Sequence, residues 1–88
     1  PHQGQVEDSI IHDPVYIAPG ATVTGSVIGP YVSIEKGAQV SGSILKDSIV
    51  FSNARVEQAV LRDSLIGQHA TVKGHVQRLN VGDHAELS

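Results

Sequence analysis

The chain has 88 residues, so it is one small domain or a piece of a larger protein. It has no cysteine, which excludes a disulfide framework and a thiolate metal site. A formal net charge of −3 argues against a nucleic-acid module, which carries a basic stripe, and the longest apolar run has only four residues, too few for a membrane span. Because no charged and apolar leader is recognisable, we expect a cytoplasmic protein that binds neither nucleic acid nor a membrane.

The kinds of apolar residue favour strands over helices. Valine and isoleucine supply 20 of the 35 hydrophobic residues, while leucine supplies 5. Stiff β-branched side chains suit a pleated sheet and slightly disfavour a helix. Nine glycines and four prolines are scattered along the chain. This composition predicts many short strands separated by frequent turns.

The N-terminal residues 1–7 are less regular than the rest of the chain. They contain the isolated aliphatic residue Val6, which lies 17 residues before Val23, one full step of the repeat that follows. We expect residues 1–7 to be a linker or a partial first coil, and residues 8–88 to form the regular domain.

Aliphatic residues then recur in three columns along the chain, with steps of 15 to 17 residues within a column. The columns are Ile11, Ile28, Leu45, Leu61 and Val76; then Ile17, Ile34, Val50, Ile66 and Val81; then Val23, Val40, Val56, Val72 and Leu87. Alanine stands two residues before each member of the third column, at Ala21, Ala38, Ala54, Ala70 and Ala85. Side chains two positions apart on a strand point to the same side. Each alanine therefore shares the inward side with the aliphatic residue two positions after it.

This periodicity predicts a solenoid built from hexapeptide units. Three units with a turn after each would close one coil, and successive coils would stack at about 4.8 Å, the ordinary strand spacing. The columns would then form one continuous core, and stability would be mostly a sum over neighbouring coils. A helix needs apolar residues at i, i+3, i+4 and i+7, which this pattern does not supply. We therefore expect an all-β parallel solenoid of about five coils.

Several segments carry a family resemblance. The runs that begin at Val15 (VYIAPGATV) and Ser26 (SVIGPYVSI), with Asp63 (DSLIG) and Leu79 (LNVGD), resemble the C-terminal domain of sugar-1-phosphate nucleotidylyltransferases. The resemblance is greatest to the long form of glucose-1-phosphate thymidylyltransferase, with ADP-glucose pyrophosphorylase next. It implies that the solenoid is a left-handed parallel β-helix.

The same resemblance implies a function without catalysis in this chain. In that family an N-terminal α/β domain makes a nucleotide-sugar and pyrophosphate from a nucleoside triphosphate and a sugar 1-phosphate, with Mg²⁺. The chain has no G-x-G phosphate loop and no counterpart of that domain. We expect a non-catalytic assembly and stabilising module that needs no cofactor of its own. Its expected partners are the N-terminal nucleotidyltransferase domain and further copies of itself, as a trimer or a dimer.

The histidines are the main alternative candidates for chemistry. A hexapeptide acyltransferase with its site between subunits would use His69 or His75 as the base that deprotonates the acceptor. His69 and His84 lie three residues after Ile66 and Val81, so they are predicted to stack, in file with Pro14, Tyr31 and Asn53, where a shared metal is conceivable. The competing interpretation, which we favour, is an exposed ladder of turn residues with no binding role.

Two further patterns mark corners of the coils. Asp8, Asp47 and Asp63 each precede a serine, and such pairs are more often caps of local backbone amides than acid–base groups. Gly20 and Gly37 are predicted to share a corner where a positive φ suits glycine. The matching positions in later coils are expected to be Ala59 and His75.

Overall fold

Short parallel strands build the whole of the described fold. The computed structural model describes residues 3–74, 78–82 and 86–87, and these contain strands and turns but no helix. No helix in this part of the chain is therefore long and apolar enough to cross a membrane. The strands stack as a β-solenoid, which confirms the predicted fold class.

One face of the solenoid is a six-stranded parallel ladder, called here the third face because it carries the third aliphatic column. Its strands are β1 (Gln5–Glu7), β4 (Thr22–Thr24), β7 (Gln39–Ser41), β10 (Arg55–Glu57), β12 (Thr71–Lys73) and β14 (Glu86–Leu87). Pairing of β1 with β4 places Val6 beside Val23, one repeat step apart. Residues 5–7 thus lie in the solenoid rather than apart from it.

Two further ladders complete the coil. The first face, which carries the first column, consists of β2 (Ile10–Ile11), β5 (Val27–Ile28), β8 (Ile44–Lys46) and the start of β11 (Val60–Ile66). The second face consists of β3 (Val15–Ile17), β6 (Val32–Ile34), β9 (Ser48–Val50), the end of β11 and β13 (Arg78–Val81). The described residues complete about four turns, and the fifth is described only in part because Val76 lies outside them.

The predicted columns form the core. Nearly every described column member is buried, and Ile17, Ile28, Ile34, Val50 and Ile66 are fully inaccessible to solvent. The described alanines of the file, Ala21, Ala38, Ala54 and Ala70, are buried with them, which confirms the shared inward side, while Ala85 lies outside the described residues. Val6 and Ile11 in the first coil are only partly buried and pack against this core.

The corner between the first and second faces accounts for the uneven repeat. Six residues separate the first and second columns in the early coils, as from Ile28 to Ile34, but five separate them later, as from Leu61 to Ile66. The shorter connection lets β11 run through the corner as one seven-residue strand, with a register irregularity between Arg62 and Leu65. The solenoid therefore has a wider corner at its N-terminal end than at its C-terminal end.

Candidate functional site

The candidate residue His69 lies in the corner between the second and third faces. Gly20, Gly37, Asn53 and His69 occupy this corner in successive coils with φ of 84°, 76°, 61° and 61°. The His69 amide donates a hydrogen bond to the Ser52 carbonyl at 3.1 Å, as the Asn53 amide does to Lys36 at 3.0 Å. Asparagine and histidine are among the few side chains that tolerate this left-handed region.

This geometry corrects two corner assignments made from the sequence. Pro14 and Tyr31 are not in file with His69, because they lie in the corner between the first and second faces. Ala59 is not the counterpart of Gly20 and Gly37 either. Each member of the true file comes three residues after a second-column residue, and that rule selects Asn53 and His69.

The catalytic and metal predictions for the histidines stay predictions. His69 is exposed at its corner, while His75 and His84 lie outside the described residues. Within the part of the chain that the structure describes, no three histidine, aspartate or glutamate side chains cluster as a metal site. The described geometry thus gives the His69 corner a backbone-turning role.

The aspartate–serine pairs form hydrogen-bonded ladders through their serines. The Ser9 hydroxyl donates to the Glu7 carbonyl at 2.9 Å and accepts the Ser26 amide at 3.0 Å from the next coil. Ser26, which follows a glycine, continues this ladder by accepting the Ser43 amide at 3.0 Å. Ser48 repeats this arrangement in another corner, where it accepts the Ser64 amide at 3.2 Å. The hydroxyls therefore cap backbone groups.

The aspartates of these pairs have a conformational role. Asp8, Asp47 and Asp63 take positive φ values of 53°, 51° and 50° at their corners. Aspartate tolerates this region better than most residues. The pairs thus combine a turn residue with a capping residue, in line with the capping interpretation.

The outward side of the third face is entirely polar. Its described strands present glutamine, threonine, serine, arginine, lysine and glutamate, and Gln39 stacks between Thr22 and Arg55. Glu57 lies between Ser41 and Lys73 in the same register. Such a surface is typical of a face that stays in water.

The outward side of the first face is apolar along one column. Ile10, Val27, Ile44 and Val60 stack directly on each other in neighbouring strands. Ile10 and Ile44 are 58% and 49% exposed. Large apolar side chains in a contiguous row on a surface mark interaction sites more often than isolated ones do.

An open groove follows this column. It has a volume of about 470 Å³ and is lined by Ile44, Val60, Leu61, Lys46 and Arg62. Ile44 and Val60 precede Lys46 and Arg62 by two residues on their strands, so the groove has an apolar wall and a cationic wall. It lies over two neighbouring strands, β8 and the start of β11.

The second face is mixed. Tyr16 and Leu65 are 37% and 47% exposed on it, but Ser33 stacks between Tyr16 and Ile49 and interrupts the apolar row. Tyr31, 66% exposed, projects from its corner with the first face. The exposed apolar surface is thus concentrated away from the third face.

The sequence contains a signal for the outward apolar column of the first face, separate from the three inward columns. Each first-column residue from Ile11 to Leu61 is preceded by a second aliphatic residue, giving II, VI, IL and VL pairs. Because neighbours on a strand point to opposite sides, one member of every pair must face outward. The regular spacing of these pairs is the sequence mark of an apolar outer stripe.

Comparison with known proteins identifies the family. A family model described as the GMPPB C-terminal domain matches residues 10–84. The chain belongs to this family. The GMPPB C-terminal domain is related to sugar-phosphate nucleotidylyltransferases, which confirms the resemblance at that level. A search of curated proteins gave no match.

Membership of the GMPPB C-terminal domain family fits the geometry of the described residues. The match begins at β2 and covers the four described coils. It does not establish thymidylyltransferase specificity, which stays a prediction.

Proposed function

We propose that this chain is a non-catalytic assembly and stabilising module of a sugar-phosphate nucleotidylyltransferase. The observation that carries the proposal is the difference between its faces, since the third face is polar while the first bears an unbroken apolar column. A contiguous apolar stripe is suited to contact with another surface, either a second copy of the chain or the N-terminal domain. Family membership supplies the link to the nucleotidylyltransferase.

The partners in this proposal are of two kinds. One is an N-terminal nucleotidyltransferase domain, which would bind Mg²⁺ and carry out the reaction of a nucleoside triphosphate with a sugar 1-phosphate. The other is further copies of the chain, as a dimer or a trimer. The absence of cysteine supports a cytoplasmic setting. The sequence resemblance favours thymidylyl transfer to glucose 1-phosphate as the parent reaction.

The described corners support a structural role. Their main-chain groups bond from coil to coil, and serine hydroxyls supply further caps. Among the described residues, no buried side-chain nitrogen or oxygen lacks a hydrogen-bond partner. The serine hydroxyls among these groups bond from one coil to the next.

Two assays on the purified chain test the non-catalytic half of the proposal. Incubation with each nucleoside triphosphate, glucose 1-phosphate and Mg²⁺ should release no pyrophosphate above a buffer blank. Release that grows with protein concentration would overturn the assignment, because a complete transferase site would then lie within 88 residues.

The acyltransferase alternative needs its own assay. Acetyl-CoA and a panel of amine and hydroxyl acceptors should yield no free CoA with the purified chain. Turnover that disappears in His69→Ala or in His75→Ala would establish the alternative and refute the non-catalytic proposal. The exposed residue Gln39 supplies the control variant, Gln39→Ala, which lies on the polar third face.

A further inference from the structure

The groove on the first face combines two walls of different chemistry. Ile44 and Val60 pair in register and form the apolar wall, while Lys46 and Arg62, two residues later on the same strands, pair in register and form the cationic wall. All four residues are exposed. The volume of the groove, about 470 Å³, is in the range of small-molecule sites.

The corner beside the cationic wall adds acidic and aromatic side chains. Asp47 directly follows Lys46 and is exposed, with a φ of 51°. Tyr31 occupies the same corner in the preceding coil, where its carbonyl oxygen accepts the Ser48 amide at 3.1 Å. The Tyr31 residue is 66% exposed. Asp63 continues this file in the next coil, with a φ of 50°.

These side chains follow a fixed order along the strand direction. From the middle of the first face to the corner, the surface is first apolar, then cationic, then acidic and aromatic. With a rise of about 3.3 Å per residue, the three steps from Ile44 to Asp47 span about 10 Å. A simple anion on the cationic wall would be repelled by Asp47, whereas a ligand with an apolar part, an anionic group and a cationic group in that order matches all three zones.

We propose that this groove binds a single-chain zwitterionic phospholipid of the lysophosphatidylcholine class. The acyl chain lies on the apolar wall, and the phosphate contacts the cationic wall. The trimethylammonium group contacts Asp47 and the ring of Tyr31. This site goes beyond the assembly function and does not rest on it.

Each of the three contacts has a separate physical basis. An alkyl chain on Ile44 and Val60 removes apolar surface from water. Lysine and arginine side chains form charge-assisted hydrogen bonds with phosphate oxygens. A quaternary ammonium is attracted to the face of an aromatic ring, and a neighbouring carboxylate adds a Coulombic attraction. The exposed ring of Tyr31 is the reason for choosing choline over a primary amine as the head group.

NMR titration of the ¹⁵N-labelled chain tests the site directly. Octylphosphocholine, kept below its critical micelle concentration, should shift the backbone amides of residues 44–47 and 60–62 in a saturable manner. For a ligand of this size we expect a Kd of about 0.1 mM. The amide of Gln39, on the third face, should not shift. Shifts that do not saturate, or that centre on the third face, would refute the site.

Replacement of Asp47 by asparagine distinguishes a zwitterion site from an anion site. Asparagine tolerates the same positive φ, so the corner should be retained. Asp47→Asn should weaken binding of octylphosphocholine about threefold and strengthen binding of octyl phosphate by a similar factor. Tighter binding of both ligands by the variant would show that Asp47 makes no contact with the ammonium group, and the proposal would be wrong.

Two further variants test the ring and the cationic wall. Tyr31→Asn removes the ring but keeps a residue suited to a positive φ, and it should weaken octylphosphocholine about threefold while leaving octyl phosphate unchanged. Arg62→Gln should weaken both ligands about fivefold, whereas the matched Arg55→Gln on the third face should leave both within twofold of wild type. Equal losses from Arg62→Gln and Arg55→Gln, or an equal loss of both ligands in Tyr31→Asn, would contradict the assignment.

Vesicles of phosphatidylcholine separate a monomeric ligand from a membrane surface. Because the groove lies over only two strands, it holds a single chain rather than a bilayer, and the protein should not float with the vesicles. Flotation together with no response to monomeric octylphosphocholine would assign the surface to a bilayer and overturn the proposal.

Discussion

Replacement of Ile34 by aspartate is the most severe test of the core register. Ile34 is fully inaccessible to solvent, and it lies in register between Ile17 and Val50 of the neighbouring coils, both of which are also fully buried. Loss of its apolar burial costs about 1.5–3 kcal/mol. Burial of a polar group without a partner adds about 2–7 kcal/mol.

These costs are comparable to the whole stability of a domain of this size. At about 0.05–0.15 kcal/mol per residue, the free energy of unfolding is roughly 4–13 kcal/mol. Ile34→Asp should therefore be largely unfolded at 25 °C in circular dichroism. Because Ile34 contacts coils on both sides, the damage is not confined to an end of the solenoid.

Two matched variants make the Ile34 result interpretable. Ile34→Val should cost about 0.5–1.5 kcal/mol and lower Tm by about 4–8 °C for each kcal/mol. Gln39→Asp introduces the same carboxylate at an exposed position of the next strand, and should change stability by less than about 0.5 kcal/mol. An Ile34→Asp chain that melts like wild type, or a Gln39→Asp chain that is equally unfolded, would refute the register.

Two further predictions concern the corners, and thermal unfolding measures both. Gly29→Ala should destabilise the chain by several kcal/mol, because its φ is 99° and a Cβ would collide with the His12 carbonyl oxygen. At Gly25 a Cβ would meet open space, so Gly25→Ala should cost only about 1–2 kcal/mol, owing to its φ of 55°. Equal costs would contradict the close approach. Ser26→Ala should cost about 1–3 kcal/mol because it leaves the buried Ser43 amide without its acceptor, and an unchanged Tm would exclude a stabilising role for that serine ladder.

The core could be predicted from the sequence because parallel stacking repeats one environment in every coil. Val50 lies between Ile34 and Ile66 just as Ile34 lies between Ile17 and Val50, so an aliphatic side chain is required again at each step of the column. The alanine two residues before Val56 records the alternation of the strand in the same way. Column positions therefore reveal register and inward side together.

The corners were less predictable because several residue types satisfy the same backbone conformation. Gly37, Asn53 and His69 share a positive φ but have no common side-chain chemistry. The prediction that Gly20 and Gly37 share a corner is therefore confirmed, whereas Ala59 as their later counterpart is wrong, because only the distance from the second column identifies the position. The outer stripe of the first face depends on which member of each aliphatic pair points outward, and strand register fixes that choice.

Sedimentation equilibrium of the purified chain over a concentration range from micromolar to submillimolar tests the assembly function most directly. We expect a mass that rises with concentration from the 9.3 kDa of one chain to that of a closed oligomer, a dimer or a trimer. A mass of one chain throughout that range would contradict the account.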